Sequence, residues 1–175
     1  MKYGNIEYQY AAPFAEALVS DPNFRSWLLR QTKFAEFAGN ARLMDREMKA
    51  KRSASAQSWW RSHYTEKCRC DGCGGRETDL LAIFEAAKGV RFALHVEVKQ
   101  PNDKFDPDKR QGERYSVRAQ CWARKAPAAV LPHTMAATML LFSESKRHEY
   151  SPHLAHFGTL ITFEDVQKNF PKAAT

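Results

Sequence analysis

Residues 74–100 read GGRETDLLAIFEAAKGVRFALHVEVKQ, and this stretch decides the fold. Two segments within it, residues 78–86 and 90–99, are rich in β-branched, aromatic and aliphatic side chains, which is typical of strands. Between them, Ala87, Lys88 and Gly89 fit a three-residue hairpin loop, in which the last residue adopts the left-handed conformation that glycine favours. We therefore predict a β-hairpin.

The predicted hairpin has two unlike faces. Counting outward from the loop pairs Glu85 with Arg91, and Asp79 with Glu97. One face then ends in Asp79, Glu97 and Lys99, since residues two apart on a strand point the same way. A register shifted by one residue would mix the two faces, so the pattern selects this register. The opposite face carries only apolar side chains: Leu80, Ala82, Phe84, Phe92, Leu94, Val96 and Val98.

Length and charge restrict the class of protein. The chain has 175 residues and a formal net charge of +7. That length suits one domain with its own core, in which residues 1–55 form an N-terminal helical part. The positive charge favours polyanionic partners, nucleic acid first. The sequence contains neither an apolar run long enough to cross a bilayer nor an apolar secretion signal at its start, so we expect no membrane partner, a cytoplasmic location and reduced thiols.

The N-terminal part is predicted to hold two helices. We assign no function to residues 1–13. The first helix begins at the capping residue Asp21, followed by a proline in the first turn, and ends at the Gly-Asn pair of residues 39 and 40. The second covers about residues 41–54. Glu36 lies on the first helix and Glu47 on the second.

A cysteine cluster precedes the hairpin. Cys68, Cys70 and Cys73 have the spacing C-x-C-x-x-C. Such a cluster can contribute to a zinc site, but structural zinc usually takes four ligands in two separated pairs. The cluster is therefore either part of a zinc site or a set of free thiols in a loop.

The segment after the hairpin is predicted to be a polar, solvated loop followed by a basic helix. The loop covers residues 102–108, and the helix extends from there to about residue 125. Tyr115 lies on its buried face, and Gln111, Tyr115 and Arg118 share one side because they are three or four residues apart. Arg110, Arg114, Arg118 and Tyr115 are candidates for nucleic-acid binding, although a run of charges on a helix is also typical of a solvated face.

Two further strands and a helix complete the predicted order. Residues 134–142 form a nearly continuous apolar run, typical of a strand that is buried on both faces. Residues 157–163 give another short strand, and a short helix begins at Glu164. Residues 58–65, SWWRSHYT, are predicted to form a strand that leads towards the hairpin. The resulting order is helices, strand, hairpin, basic helix and two strands.

These residues resemble a known nuclease signature. Asp79 followed by Glu97-Val98-Lys99 resembles the motif of the PD-(D/E)xK superfamily, with Thr78 where the motif has a proline. Residues 111–115, QGERY, resemble the Q-x-x-x-Y element of its RecB-like branch. The resemblance covers roughly residues 65–142. It implies an α/β (α+β) fold with an αβββαβ restriction-endonuclease-like core, in which helices flank a central mixed sheet.

The resemblance also implies roles for the site residues. Asp79, Glu97 and the backbone carbonyl of Val98 would hold Mg²⁺ (or Mn²⁺), Lys99 would stabilise the transition state or hold the attacking water, and Gln111 would orient the site. Oxygen ligands suit magnesium, and such an ion promotes attack by water on a phosphodiester.

In that family, the first helix of the fold often contributes a further glutamate to the site. Glu47 is the first choice for it and Glu36 is the reserve.

Three functions are consistent with the sequence. The favoured one is a magnesium-dependent nuclease that acts on DNA, with RNA not excluded. The second is a non-catalytic nucleic-acid-binding module of the same fold, and the third is a small zinc-binding interaction protein built on the cysteine cluster. At this length there is little room for a separate recognition domain, so sequence-specific cutting would need a homodimer or a partner protein.

Overall fold

The computed structural model describes residues 5–52, 56, 58–63, 77–106 and 110–174. A mixed sheet forms the centre of this part of the chain, and helices cover both of its faces. The helices are α1 (Asn5–Ser20), α2 (Pro22–Arg30), α3 (Asp45–Lys51), α4 (Gln111–Arg124), α5 (Ser151–Leu154) and α6 (Phe163–Asn169). The strands are β1 (Arg42–Leu43), β2 (Arg61–His63), β3 (Thr78–Glu85), β4 (Arg91–Lys99), β5 (Met135–Phe142) and β6 (Thr159–Thr162).

The sheet combines antiparallel and parallel pairing. Its main order is β1-β3-β4-β5-β6, and β2 also pairs with β3. The strands β3 and β4 are antiparallel, whereas β5 and β6 are both added in parallel. Parallel neighbours need a long crossover, and α4 supplies it between β4 and β5. The mixed α/β class predicted from the sequence is therefore observed, and β4 lies at its centre.

The predicted hairpin register is confirmed along most of its length. Glu85 lies opposite Arg91, and the N–H of Ala86 donates to the carbonyl of Val90 at 2.8 Å. In the loop Gly89 has a φ of +73°, which is the left-handed conformation predicted for it. The alternation of side chains and the loop glycine together fix which residues of β3 and β4 face each other.

The two faces of the hairpin form parts of separate hydrophobic cores. All seven residues of the predicted apolar face belong to the larger core, together with Phe14 of α1 and Leu28 of α2. On the other face, Leu81 packs in a cluster with Met48 of α3 and Trp122 of α4. The hairpin is thus enclosed by helices on both sides, and Asp79, Glu97 and Lys99 lie at its open end.

The helix α1 was not predicted. Pro13 lies inside it, and a proline in that position usually ends or kinks a helix. The buried residues nevertheless follow a helical spacing, with Ala11, Phe14, Ala15 and Leu18 at positions i, i+3, i+4 and i+7.

The two predicted N-terminal helices are shorter than expected. Asp21 caps α2 as predicted, because its carboxylate accepts the N–H groups of Asn23 and Phe24. The helix ends at Arg30, and turns replace its predicted second half. The start of the second predicted helix is instead β1, because residues 42 and 43 pair with the edge of β3.

The C-terminal elements agree with the prediction within a few residues. The strands β5 and β6 fall inside the predicted ranges, and α6 begins one residue before Glu164. Thr162 and Asp165 cap α6 reciprocally. None of the helices described here is long and apolar enough to cross a membrane.

Candidate active site

The open end of the hairpin brings two carboxyl groups together. Asp79, at the start of β3, lies beside Glu97, near the end of β4: Asp79 Oδ2 accepts the N–H of Val98, the residue that follows Glu97, at 2.9 Å. Burial, followed by the negative charge of Glu97, raises the pKa of Asp79 well above its ordinary value. Two ionised carboxylates at this separation repel each other, so the pair favours either a shared proton or a bound cation.

The carboxylate of Asp79 also ends the strand pairing. The ladder between β3 and β4 runs to the pair of Leu80 and Val96, one pair short of the predicted pairing of Asp79 with Glu97. At that point Asp79 Oδ2 accepts the backbone N–H of Val98 at 2.9 Å. The side chain thus replaces the next rung of the ladder, and the position of its carboxylate is set by the backbone of β4.

Lys99 lies directly beside this pair. Its Nζ is 3.0 Å from Glu97 Oε1 and 3.2 Å from Asp103 Oδ2, and the lysine is only 4% exposed. Burial alone would lower the pKa of Lys99, but the negative charges of Glu97 and Asp103 outweigh it and raise the pKa above its ordinary value. Lys99 is therefore a fixed positive charge in the site.

Gln111 connects Lys99 with Glu97. Its amide nitrogen donates to Glu97 Oε1 at 2.5 Å, and its amide oxygen accepts from Lys99 Nζ at 3.2 Å. Gln111 is the first residue of α4, so the start of this helix contacts both residues of β4. The structure thus brings together Asp79, Glu97, Lys99 and Gln111, four residues that the sequence placed in the site.

Tyr115 and Arg118 are both buried, which agrees with the predicted place of Tyr115 on the buried face of the helix but not with a surface position of either residue against nucleic acid. Each is only 1% exposed. The hydroxyl oxygen of Tyr115 accepts the backbone N–H of Asp79 at 3.0 Å. Arg118 donates to the carbonyl of Glu77 at 2.6 Å and to the hydroxyl of Thr78 at 3.0 Å. Both side chains turn inward and hold the start of β3, so they support the site from behind.

Two of the four predicted nucleic-acid contacts remain near the surface. Arg110 is exposed and forms an ion pair with Glu113, and Arg114 is partly exposed. Both lie at the start of α4, within one turn of Gln111. They stay candidates for contacts to phosphate groups.

Glu7 of α1 is close enough to the carboxyl pair for its charge and theirs to affect one another. Burial, followed by the negative charges of Asp103 and Glu97, raises the pKa of Glu7. The charge of Glu7 in turn contributes to the raised pKa of Asp79. The sequence prediction missed Glu7 because α1 was not predicted, and the spacing of buried residues in α1 is the signal that could have revealed it.

Glu47, the predicted choice, lies elsewhere. Its carboxylate forms a 2.7 Å ion pair with Arg42, which lies opposite Glu85 at the far end of β3. Six residues of strand separate Glu85 from Asp79, which is roughly 20 Å. Glu36, the reserve, is exposed in a 3₁₀ turn at Ala35–Phe37. Neither prediction of the helix glutamate agrees with the structure.

The loop after β4 is folded over Lys99, whereas the sequence predicted a solvated loop. The carbonyl oxygen of Asp103 accepts a 2.6 Å hydrogen bond from the hydroxyl of Tyr150. Phe105 is buried against the rings of Tyr150 and His153, and its ring centroid lies 4.9 Å from Lys99 Nζ. Burial, followed by the charge of Asp103, raises the pKa of Tyr150 to about 12, so this phenol keeps its proton at neutral pH. The sequence prediction therefore missed Asp103 as a residue of the site.

The predicted zinc cluster cannot be placed. Cys68, Cys70 and Cys73 lie outside the described residues, and the side chain of Cys121 is buried. Within the described ranges, no three side chains of His, Cys, Asp or Glu converge as a metal-binding group.

Comparison with known proteins finds no relative of this chain. No family model, no curated protein and no solved structure gives a significant match to the chain. The chemistry of the site must therefore be argued from its own residues.

Proposed function

We propose that the protein is a divalent-cation-dependent nuclease that hydrolyses phosphodiester bonds, most readily those of DNA, on a restriction-endonuclease-like core. The observation that carries the proposal is the carboxyl pair of Asp79 and Glu97 with Lys99 Nζ 3.0 Å from Glu97. The order of elements supports it, because an antiparallel hairpin followed by a helix and a parallel strand corresponds to the expected core. The net charge of +7 suits a polyanionic substrate.

The residues of the site fit a magnesium or manganese ion. Asp79 and Glu97 offer hard carboxylate oxygens, and the carbonyl of Val98 is the proposed third ligand. Magnesium keeps several water molecules when it binds to protein, so it does not need three converging acidic side chains. A cation would relieve the repulsion that raises the pKa of Asp79. When bound, the ion would neutralise phosphate charge and make a water molecule more acidic.

Lys99 and Gln111 have distinct roles in the proposed reaction. The attacking water gives up a proton to solvent as its oxygen forms a bond to phosphorus. The bond from phosphorus to one sugar oxygen breaks, and that oxygen takes up a proton from solvent. Negative charge grows on the phosphate oxygens in the transition state, and the ammonium group of Lys99 stabilises it. Gln111 holds Lys99 and Glu97 in one geometry through its two hydrogen bonds. Glu7 adds negative charge that favours a cation at the pair.

A cleavage assay tests this proposal. Plasmid, single-stranded DNA and RNA are incubated with the protein in Mg²⁺, in Mn²⁺ and in EDTA. We expect cleavage that requires the cation and falls by about a hundredfold or more in Asp79→Asn and Lys99→Ala. Lys172→Ala, at an exposed lysine near the C-terminus, is the matched control and should cleave normally.

Two results would contradict the proposal. Undiminished cleavage by Asp79→Asn or Lys99→Ala would show that another site, or a contaminant, cuts the substrate. Tight nucleic-acid binding without cation-dependent cleavage would identify the protein as a non-catalytic binding module.

A further inference from the structure

An aromatic stack lies between α1 and β2. The rings of Tyr8 and Trp60 are 5.8 Å apart with an angle of 20° between their planes. Trp60 is 4% exposed, whereas Tyr8 is 40% exposed. The guanidinium of Arg61 lies 4.8 Å from the ring centroid of Tyr8. A buried tryptophan thus supports a solvent-facing tyrosine that also contacts a cation.

This stack adjoins the carboxyl pair through two separate elements. On α1, Tyr8 directly follows Glu7, whose pKa responds to the charge of Glu97. On β2, Arg61 lies opposite Leu80, the residue next to Asp79 in β3. The stack therefore belongs to the same end of the sheet as the proposed catalytic residues.

The exposure of Tyr8 is unusual within the described part of the chain. The only large hydrophobic residues exposed there are Tyr8 and Val19, and both lie on α1. Val19 has no aromatic surface, whereas Tyr8 combines a ring with a neighbouring guanidinium. Rings and guanidinium groups stack on nucleobases whatever the base, because every base has a π face. In a duplex those faces are covered by neighbouring pairs, so such a surface selects unpaired bases.

We infer that Tyr8 and Arg61 form a stacking platform for an unpaired nucleobase, and that the substrate is nucleic acid with a single-stranded segment at the site of cleavage. This inference rests on the proposed nuclease function and names its substrate class. A base on the platform brings the nucleic acid to the end of the sheet that carries Asp79 and Glu97. Strand choice then depends on whether a base is free to stack and not on its sequence.

Binding measurements in EDTA test the platform separately from catalysis. Fluorescence anisotropy compares one labelled oligonucleotide as DNA single strand, as RNA single strand and as blunt DNA duplex. We expect the single strands to bind more tightly than the duplex, and Tyr8→Ala to weaken single-strand binding about tenfold. Tyr8→Phe keeps the ring and should restore most of the single-strand affinity that Tyr8→Ala loses.

Val19→Ala is the matched control. Val19 is 44% exposed on the same helix, and about 16 Å of helix axis separates it from Tyr8. Its substitution should leave binding unchanged. Arg61→Gln is a second variant that keeps the aromatic ring, and it should weaken single-strand binding several-fold. Thermal unfolding of each variant shows whether it is folded.

Equal binding of single strand and duplex, or folded Tyr8→Ala and Arg61→Gln variants that bind like Val19→Ala, would overturn the inference. Cation-dependent cleavage that requires Asp79 would survive that result, and the nuclease proposal with it. Conversely, binding that depends on Tyr8 and Arg61 without any cleavage would support the platform and contradict the nuclease proposal. Preference for RNA over DNA single strands would support the platform and identify RNA as the substrate.

Discussion

The hydroxyl of Tyr150 donates a 2.6 Å hydrogen bond to the backbone carbonyl of Asp103, 47 residues away in the chain. This bond fixes the loop whose aspartate contacts Lys99. The surroundings of Lys99 therefore depend on a residue that precedes α5 and lies outside the nuclease-like motif.

Replacing Tyr150 with phenylalanine tests that dependence. We expect Tyr150→Phe to lose about 1 kcal/mol of stability, or about 2–4 °C in Tm, because the hydrogen bond is lost while the ring still packs on Phe105. The kcat for cleavage should fall, since Lys99 loses a fixed partner, with KM little changed. Thermal denaturation and steady-state kinetics measure the two effects. A fall in stability with unchanged kcat would limit Tyr150 to a structural role.

Glu7 should contribute to cation affinity. Glu7→Gln removes one negative charge near the carboxyl pair, so half-maximal cleavage should need about tenfold more Mg²⁺. The cation-induced rise in Tm should weaken in parallel, which gives a readout without substrate. Glu16→Gln, at an exposed glutamate on the same helix, is the control and should match the wild type. Identical magnesium dependence for the wild type and Glu7→Gln would show that Glu7 takes no part.

Stability without metal should depend on the charge of Asp79. Its folded-state pKa is raised above the ordinary value of 3.8, so its contribution to stability is complete below that pH and is lost as pH rises through the raised pKa. Asp79→Asn avoids this loss, because its amide oxygen can still accept from Val98 N–H. We therefore expect the variant to be more stable than the wild type at neutral pH in EDTA.

Thermal unfolding between about pH 4 and pH 8 measures this difference. The advantage of the variant should shrink as pH falls, and it should also shrink when Mg²⁺ stabilises the wild type. A variant that is less stable than the wild type at neutral pH would contradict the repulsion between Asp79 and Glu97.

Arg118 and Arg114 should behave differently although both belong to α4. Arg118→Met removes two hydrogen bonds to the start of β3, so we expect a loss of about 2–3 kcal/mol in stability. Arg114→Ala should leave stability nearly unchanged and weaken DNA binding. It should also lower by about one the number of counterions released on binding, measured from the salt dependence of the affinity. Urea denaturation and anisotropy at several salt concentrations distinguish the two. A stable Arg118→Met variant with reduced salt dependence would restore the predicted surface role of Arg118.

The hairpin and its reactive residues could be predicted because their spacing is local. Alternation along β3 and β4 selects one register, and that register places Glu97 and Lys99 on one face. Helical spacing after the loop places Gln111 on the same side as Tyr115. For these residues the local sequence pattern alone is enough to predict their positions in the structure.

The remaining site residues depend on contacts between distant segments. Glu7 was missed because Pro13 interrupts the pattern of α1, although neighbouring helices and the sheet stabilise that helix. Arg118 is buried because it lies on the side of α4 that faces the sheet, which its charge alone does not reveal. Asp103 reaches Lys99 because Tyr150 holds its backbone, and nothing in the loop itself indicates this bond.

The docking of α1 against the end of the sheet has a consequence for the order of folding. The hairpin pairs residues that are close in the chain, so it can form early during folding, whereas Glu7 joins Asp103 and Glu97 only through contacts that span most of the sequence. We expect a folding intermediate with a formed hairpin and an undocked α1 to lack full cation affinity. Full cation affinity would then appear only after α1 has docked against the end of the sheet.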